Sequence, residues 1–363
     1  MSLVDRRSLS VFDFGTLVVL ACLLVIGVVL VASASQGQNL DLARRQGVWV
    51  AAGLMLAVVV GLLDYRNLTD NAYLIWGALI VLLVGVLLFG PSISGARSWI
   101  RFGGVGLQPS EFAKIAVILA LARLFSDREP RPFGIRGMLM PAVLVAVPVL
   151  LISLQPDMGT ATTFLPIVAV MAWAAGLRLG TIAWIGGGGI AVTPLWYLSL
   201  LPYQRSRLTS FLNPEQDPLA SGYQLVQSKI AVGSGGLAGK GLFSGTQSQL
   251  NFLPEQENDF IMALLAEELG FIGVLVVLTL YFVLVSRLLR GAYVARDRAG
   301  AFLCAGVAGL MMFHLVINVG MVIGLVPITG IPLPLLSYGG SSALATCLAV
   351  GLVVSVRSRR FVV

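Results

Sequence analysis

Residues 14–35 read FGTLVVLACLLVIGVVLVASAS, an apolar run without a single charged side chain. A helix of about 20 such residues crosses the hydrocarbon core of a bilayer. Comparable runs recur along the rest of the chain. Working outward from the first, we place about ten spans, at roughly 14–35, 44–63, 71–89, 110–125, 137–154, 158–176, 180–200, 259–286, 300–325 and 336–356. Composition agrees: of 363 residues, 57% are hydrophobic and only 11% are charged, against roughly 25% charged in a soluble domain. The expectation is an all-α membrane protein, a single integral domain over residues 1–363 built as a polytopic helical bundle. The first run follows the polar Arg6-Arg7 segment and lacks a small-residue cleavage site leading into a soluble region. It therefore reads as a retained helix, not a removed signal peptide.

The long interruption is 201–258, expected as a large extracytoplasmic loop between spans seven and eight. Its second half runs into the next span as GYQLVQSKIAVGSGGLAGKGLFSGTQSQLNFLPEQENDF (residues 222–260), which is polar, glycine-rich and basic and ends in Glu255, Glu257 and Asp259. Short-loop arginines set the orientation. One side collects Arg6, Arg7, Arg66, Arg128, Arg131, Arg178, Arg287, Arg290, Arg296, Arg298, Arg357, Arg359 and Arg360. The other has chiefly Arg44, Arg45, Arg97 and Arg101. Both termini are expected in the cytoplasm, and 201–258 outside. The net charge of +7 then reflects topology rather than nucleic-acid binding.

Two outer segments break the helical pattern. PSISGARSWIRFGGVGLQP (91–109) mixes aromatic, apolar and basic residues and reads as an interfacial or re-entrant piece. PITGIPLPLLSYGG (327–340) carries prolines that cannot continue a helix. Irregular backbone at membrane depth must be covered by protein or line a wet cavity, so both segments point to a cavity opening outward.

Ionisable residues near this cavity are the site candidates. Asp259 opens span eight, where exposed backbone N–H groups and the helix dipole favour an ionised carboxylate. It reads either as a plain N-cap or as a general base. Glu111 and Lys114 share a helix face three residues apart, either as a structural ion pair or as cavity-lining groups with Lys114 free for phosphate. Asp157 caps the next helix or contacts ligand. Glu255 and Glu257 support the acidic end, and Glu267 and Glu268 lie two turns into span eight. Arg101, Arg205, Arg207, Lys229 and Lys240 supply outer positive charge that suits a pyrophosphate.

Some chemistries are excluded. His314 is the sole histidine and sits mid-span, which removes a His-based metal site or a Ser-His-Asp triad. Cys22, Cys304 and Cys347 sit in apolar runs and read as small buried hydrophobes. The glycine-rich GSGGLAGKG (233–241) fails the phosphate-loop pattern, with Ser234 where the first glycine is needed and Gly241 where Ser or Thr must follow lysine. Its glycines read as flexible backbone for close approach to a ligand.

The same segments carry a family resemblance. GARSWIRFGGVGLQPSEFAKI (95–115), QPDMGTA (155–161), YQRSRL (203–208), GYQLVQSKIAVGSGG (222–236), GTQSQLNFLPE (245–255) and PITGIPLPLLSYGGSS (327–342) occur in order over almost the whole chain. They resemble the SEDS family (shape, elongation, division and sporulation), and within it the RodA branch more than the division branch FtsW. The resemblance implies a ten-span peptidoglycan glycosyltransferase of the bacterial cytoplasmic (inner) membrane. It would polymerise lipid II, release undecaprenyl pyrophosphate and work with a class B penicillin-binding protein. Asp259 then matches the family's essential aspartate after the LPE motif, Glu111 and Lys114 its PSEFAK pair, and Arg101 its SWIRFGG arginine. One departure stands out: Glu257-Asn258 occupy positions where the family usually has His-Thr. An added acid raises the pKa of Asp259 by like-charge repulsion or helps hold a divalent cation, whose ligands stay unassigned. Two other readings use the same outer groups: a lipid II flippase, which needs no base, and a non-catalytic scaffold for the penicillin-binding protein.

Overall fold

A computed structural model describes residues 12–36, 41–91, 97–102, 105–200, 202–212, 221–250 and 252–360. Arg6 and Arg7 of the orientation argument lie outside them, as do residues 92–96 and 103–104 of the outer segment and 213–220 of the long loop.

In chain order the helices are α1 Phe14–Ala34, α2 Asp41–Leu62, α3 Tyr65–Asp70 and α4 Ala72–Phe89. A hairpin, β1 Ile100–Phe102 and β2 Val105–Leu107, leads into α5 Pro109–Ser126. There follow α6 Leu139–Leu154, α7 Met158–Thr162, α8 Phe164–Ala174 and α9 Leu179–Ser199. The set closes with α10 Pro202–Leu212, α11 Ser221–Ser234, α12 Thr246–Gln249, α13 Ile261–Val294, α14 Arg298–Val322 and α15 Gly340–Ser358. The apolar runs expected to span are helical over most of their length, and among the described residues seven helical segments are long and apolar enough to cross a membrane. The chain is a multi-pass membrane protein. α5 also carries Glu111, Lys114 and Arg123, so its apolar signal is diluted. The expected span 158–176 is divided between α7 and α8, with Asp157 capping α7 through a Thr160 N–H bond of 3.1 Å.

α14 and α15 form the centre and are hydrophobic and buried nearly all round, whereas α4 and much of α13 present Leu74, Val81, Leu88, Phe271, Leu275 and Phe282 outward. In water such surface would be unfavourable; against lipid it is the exterior. α15 packs most extensively on α2. The approach is close: a Cβ on Gly351 would stand 2.8 Å from the Ala57 carbonyl, so a small residue is needed there.

The arginine-rich loops meet at one end. Arg66 bonds Asp297 at 3.1 Å, Arg359 reaches Asp64 at 3.4 Å, and Arg287 and Arg357 both grip Asp13. Arg298 donates to the carbonyls of Ser126 and Arg128. The opposite end carries the irregular segments.

There the structure adds detail to two expectations. The described part of the 91–109 segment is a hairpin, with Ile100 paired to Leu107 and Arg101 to Gly106. The 201–258 stretch is more than a loop: α10 packs on α11, and α11 buries Leu225, Ser228 and Ala231 against α13 and α14. Those three recur every third residue, a helical face inside polar sequence.

Within the 233–241 stretch, Gly235 and Gly239 meet protein backbone. α13 is broken at Gly270 (φ 62°, ψ −163°). The break frees carbonyls and amides that a membrane protein must satisfy internally. Lys240 and Gly241 donate their N–H groups to the carbonyls of Glu267 and Glu268 at 3.0 and 2.9 Å. Phe271 and Ile272 donate theirs to the carbonyls of Gly236 and Leu237 at 2.9 and 3.1 Å. A Cβ on Gly239 would lie 2.1 Å from the Glu268 carbonyl; only glycine lets the two backbones meet.

Candidate active site

The 327–339 segment enters the bundle as irregular backbone, with Ile331, Leu333, Leu335 and Leu336 buried. Its polar groups find partners one by one, as burial requires. The Tyr281 hydroxyl donates to the Pro334 carbonyl. Ser337 Oγ accepts from Leu333 N at 2.8 Å. Gln46 donates to the Ser337 carbonyl at 3.3 Å and accepts from Gly339 N at 3.2 Å. This segment is the floor of the site.

Asp259 sits beside it. Helix α13 begins at Ile261 with Phe260 as N-cap, so Asp259 lies just outside the first turn rather than in it. The turn before the helix is closed on Glu255, whose left-handed backbone (φ 52°) lets its carbonyl accept from the amides of Asn258, Asp259 and Phe260. The helix end was expected to keep Asp259 ionised, and the added acid Glu257 to raise its pKa. Burial, reinforced by Glu255 and then by Glu257 and Asp157, pushes the pKa up to about 6, with Arg207 pulling the other way. A Cβ built on Gly330 would stand 3.5 Å from both Asp259 Oδ2 and Arg207 Nη1; acid and guanidinium converge on that glycine.

The neighbouring turn completes this end of the bundle. Asp157 accepts from Gln108 Nε2 at 3.0 Å, and burial raises its pKa against the Thr160 bond. Gln108 N in turn bonds Ser341 Oγ at 3.0 Å. Gly159 abuts the Thr329 carbonyl. Glu111 and Lys114 form a buried ion pair at 2.8 Å. They line a small cavity with His314, Ser342 and Thr346, which has room for about one water.

Comparison with known proteins shows the family. The profile of the cell-cycle protein family FtsW/RodA/SpoVE matches residues 13–361. The chain belongs to the FtsW/RodA/SpoVE family. Among its relatives, peptidoglycan glycosyltransferase MrdB of Escherichia coli K12 is 40% identical over 354 residues, covering 96% of this chain and 94% of that one. Peptidoglycan glycosyltransferase RodA of Treponema pallidum is 35% identical, covering 98% and 99%. A chain from a peptidoglycan synthase complex that coordinates polymerization and crosslinking superposes with a TM-score of 0.82 at 35% identity, covering 97% and 99%. The crystal structure of Thermus thermophilus rod shape determining protein RodA gives 0.72 at 31% identity, covering 96% and 98%.

Within this family member the structure sorts the candidate residues. It brings together Asp259, Arg207, Glu255, Glu257 and Asp157. Lys114 is occupied by Glu111 rather than free for phosphate. Lys240 is bonded to buried Glu267 and to Thr246, both at 2.7 Å. Arg205 lies over the Tyr197 ring and donates to the Leu198 carbonyl. Lys229 packs on Gly324, and Arg101 is exposed on the hairpin. Glu268 accepts from Ser33. Cys304 and Cys347 are buried as expected, but Cys22 faces outward. Among the described residues no three His, Cys, Asp or Glu side chains gather as a metal site. Sequence reading missed Asn318, which is fully buried and bonded to the Asp259 carbonyl at 2.9 Å. An asparagine inside an apolar span was the available signal.

Proposed function

We propose that the chain is a peptidoglycan glycosyltransferase that polymerises lipid II, with Asp259 as the general base. The carrying observation is Asp259 itself: buried, with a pKa of about 6, and set beside Arg207 in a chain whose relatives are named for this activity. With that pKa it is about nine-tenths ionised at neutral pH, yet basic enough to take a proton, as catalytic bases require.

The chemistry follows. The 4-hydroxyl of an acceptor N-acetylglucosamine attacks the anomeric carbon of a donor sugar. A C–O bond forms there as the bond to undecaprenyl pyrophosphate breaks with inversion, and the hydroxyl proton passes to Asp259. In inverting glycosidases a carboxylate activates water in the same way. The departing pyrophosphate carries its own negative charge away, and Arg207 is placed to meet it by charge-assisted hydrogen bonds. Both substrates are lipid-linked, which fits a site at one end of a membrane bundle. The arginine-rich end, by the positive-inside rule, faces the cytoplasm of the inner membrane with both termini, and the Asp259 end faces out. The likeness to a peptidoglycan synthase complex supports a class B penicillin-binding protein as partner.

The test is polymerisation by the purified chain, with and without such a partner, in detergent. Glycan strands on a gel are expected. A transporter has no compartment to move lipid II across in detergent, so unchanged lipid II under every condition would reject the proposal.

A further inference from the structure

We infer that Asn318 is a positioning residue for Asp259, holding the turn that bears the carboxylate against the re-entrant 327–339 segment. This rests on the reading of Asp259 as the base. Asn318 is fully buried on α14. Its Nδ2 donates to two carbonyls, those of Asp259 and Ile331, each at 2.9 Å. Both partners can only accept, which fixes the amide's orientation, because a flip would face oxygen to oxygen. The remaining oxygen, Oδ1, is buried without a partner. The residue gives up one hydrogen bond at membrane depth, where polar groups are unfavourable, in order to present both hydrogens to the site.

One helical turn earlier on the same face, His314 Nδ1 lies 3.1 Å from the Pro332 carbonyl, which makes the ring nitrogen the donor. α14 therefore holds the consecutive carbonyls of Ile331 and Pro332. The segment so held grips the Asp259 turn in return. Ser337 Oγ donates to the Asn258 carbonyl at 2.6 Å, and Tyr338 N donates to the Glu257 carbonyl at 2.8 Å. Three successive carbonyls, at residues 257, 258 and 259, are thus fixed from outside their own turn. Ile331 follows Gly330, the point on which Asp259 Oδ2 and Arg207 Nη1 converge. One amide thereby ties the backbone of the acid to the backbone of the surface it faces.

The experiment measures lipid II polymerisation by the purified full chain against pH and substrate concentration, for wild type, Asn318→Ala and Asp259→Asn. A misplacement on the order of 1 Å costs about a hundredfold in rate, so Asn318→Ala should lower kcat by roughly ten- to a hundredfold while KM stays within about threefold. The acid-side midpoint should fall, because Asp259 loosened from its setting gains water. The charged groups around it are Glu255 and Glu257 in its own turn, Arg207 from α10 and Asp157 from the turn before α7. The substitution alters none of them, so a moved midpoint reports position. A kcat loss with an unmoved midpoint marks a merely structural asparagine and overturns the inference, as does a wild-type rate. If Asn318→Ala does not fold, His314→Ala removes the neighbouring tether; it should move the midpoint in the same direction by less, and an unmoved midpoint overturns the inference there too. Wild-type activity in Asp259→Asn would instead sink the underlying reading, whatever Asn318→Ala does.

Discussion

At the scale of single residues, the site is an acid tuned by what surrounds it. Burial raises Asp259 and Arg207 lowers it, so the two effects can be separated by substitution. The base must be unprotonated, and activity is therefore lost as pH falls through the folded pKa. Arg207→Ala removes the lowering charge; the acid-side midpoint of the rate profile should move upward by up to about one unit, alongside any loss from weaker hold on the leaving group. A midpoint that stays in place or moves down would show that Arg207 does not face Asp259. Sequence pattern singled out this acid as a candidate, because a carboxylate ending a polar stretch before an apolar run is visible in one dimension. It named Glu257 as a group that raises this acid, and did not foresee burial as the larger cause. Whether a carboxylate sits inside a helix's first turn or two residues before it, and how much protein covers it, depends on the tertiary packing of 327–339 and 155–159. Arg205 and Arg207 differ by two positions and looked alike; only the fold sends one to Tyr197 and the other to Gly330.

At the scale of elements, the broken helix is the feature that sequence reading did not foresee. The glycines of 233–241 were legible as a place of close approach, but the approaching group is the Gly270 break in α13. Nothing local to either segment names the other, since more than twenty residues separate them along the chain. The break predicts a contrast. In Gly270→Ala the new Cβ would stand 2.3 Å from Gly239 N at a φ of 62°, and the substitution should destabilise the protein by about 2 kcal/mol or more. Gly187→Ala in α9 meets nothing within 4 Å and should be neutral or stabilising by about 1 kcal/mol or less. Melting curves in detergent compare them; equal melting temperatures would remove the account of the break. The helical runs themselves were legible because apolar length shows in one dimension, and seven of the described helices are long and apolar enough to cross a membrane. The 100–107 hairpin was not, since three-residue strands leave too little alternation to read.

At the scale of the whole molecule, the ends of the bundle do different things. One end is locked by ion pairs, with Asp13 at the start of α1 joined to Arg287 of α13 and Arg357 of α15. Removing that carboxylate leaves Arg357, buried and cationic, without its counter-charge. Asp13→Ala should destabilise the fold by about 3 kcal/mol and lower the melting temperature without moving the acid-side midpoint of the rate. A shifted midpoint would mean that the two ends are coupled. The other end holds irregular backbone around one acid, and the account depends on that acid taking a proton during glycosyl transfer. The direct measurement is the pH dependence of lipid II polymerisation by wild type and Asp259→Asn, with both shown to be folded. The account predicts a wild-type rate that falls with a midpoint near pH 6, and an Asp259→Asn rate lower by about a hundredfold or more at neutral pH. A wild-type rate flat from about pH 5 to 8, or an Asp259→Asn rate within about tenfold of wild type, would contradict it.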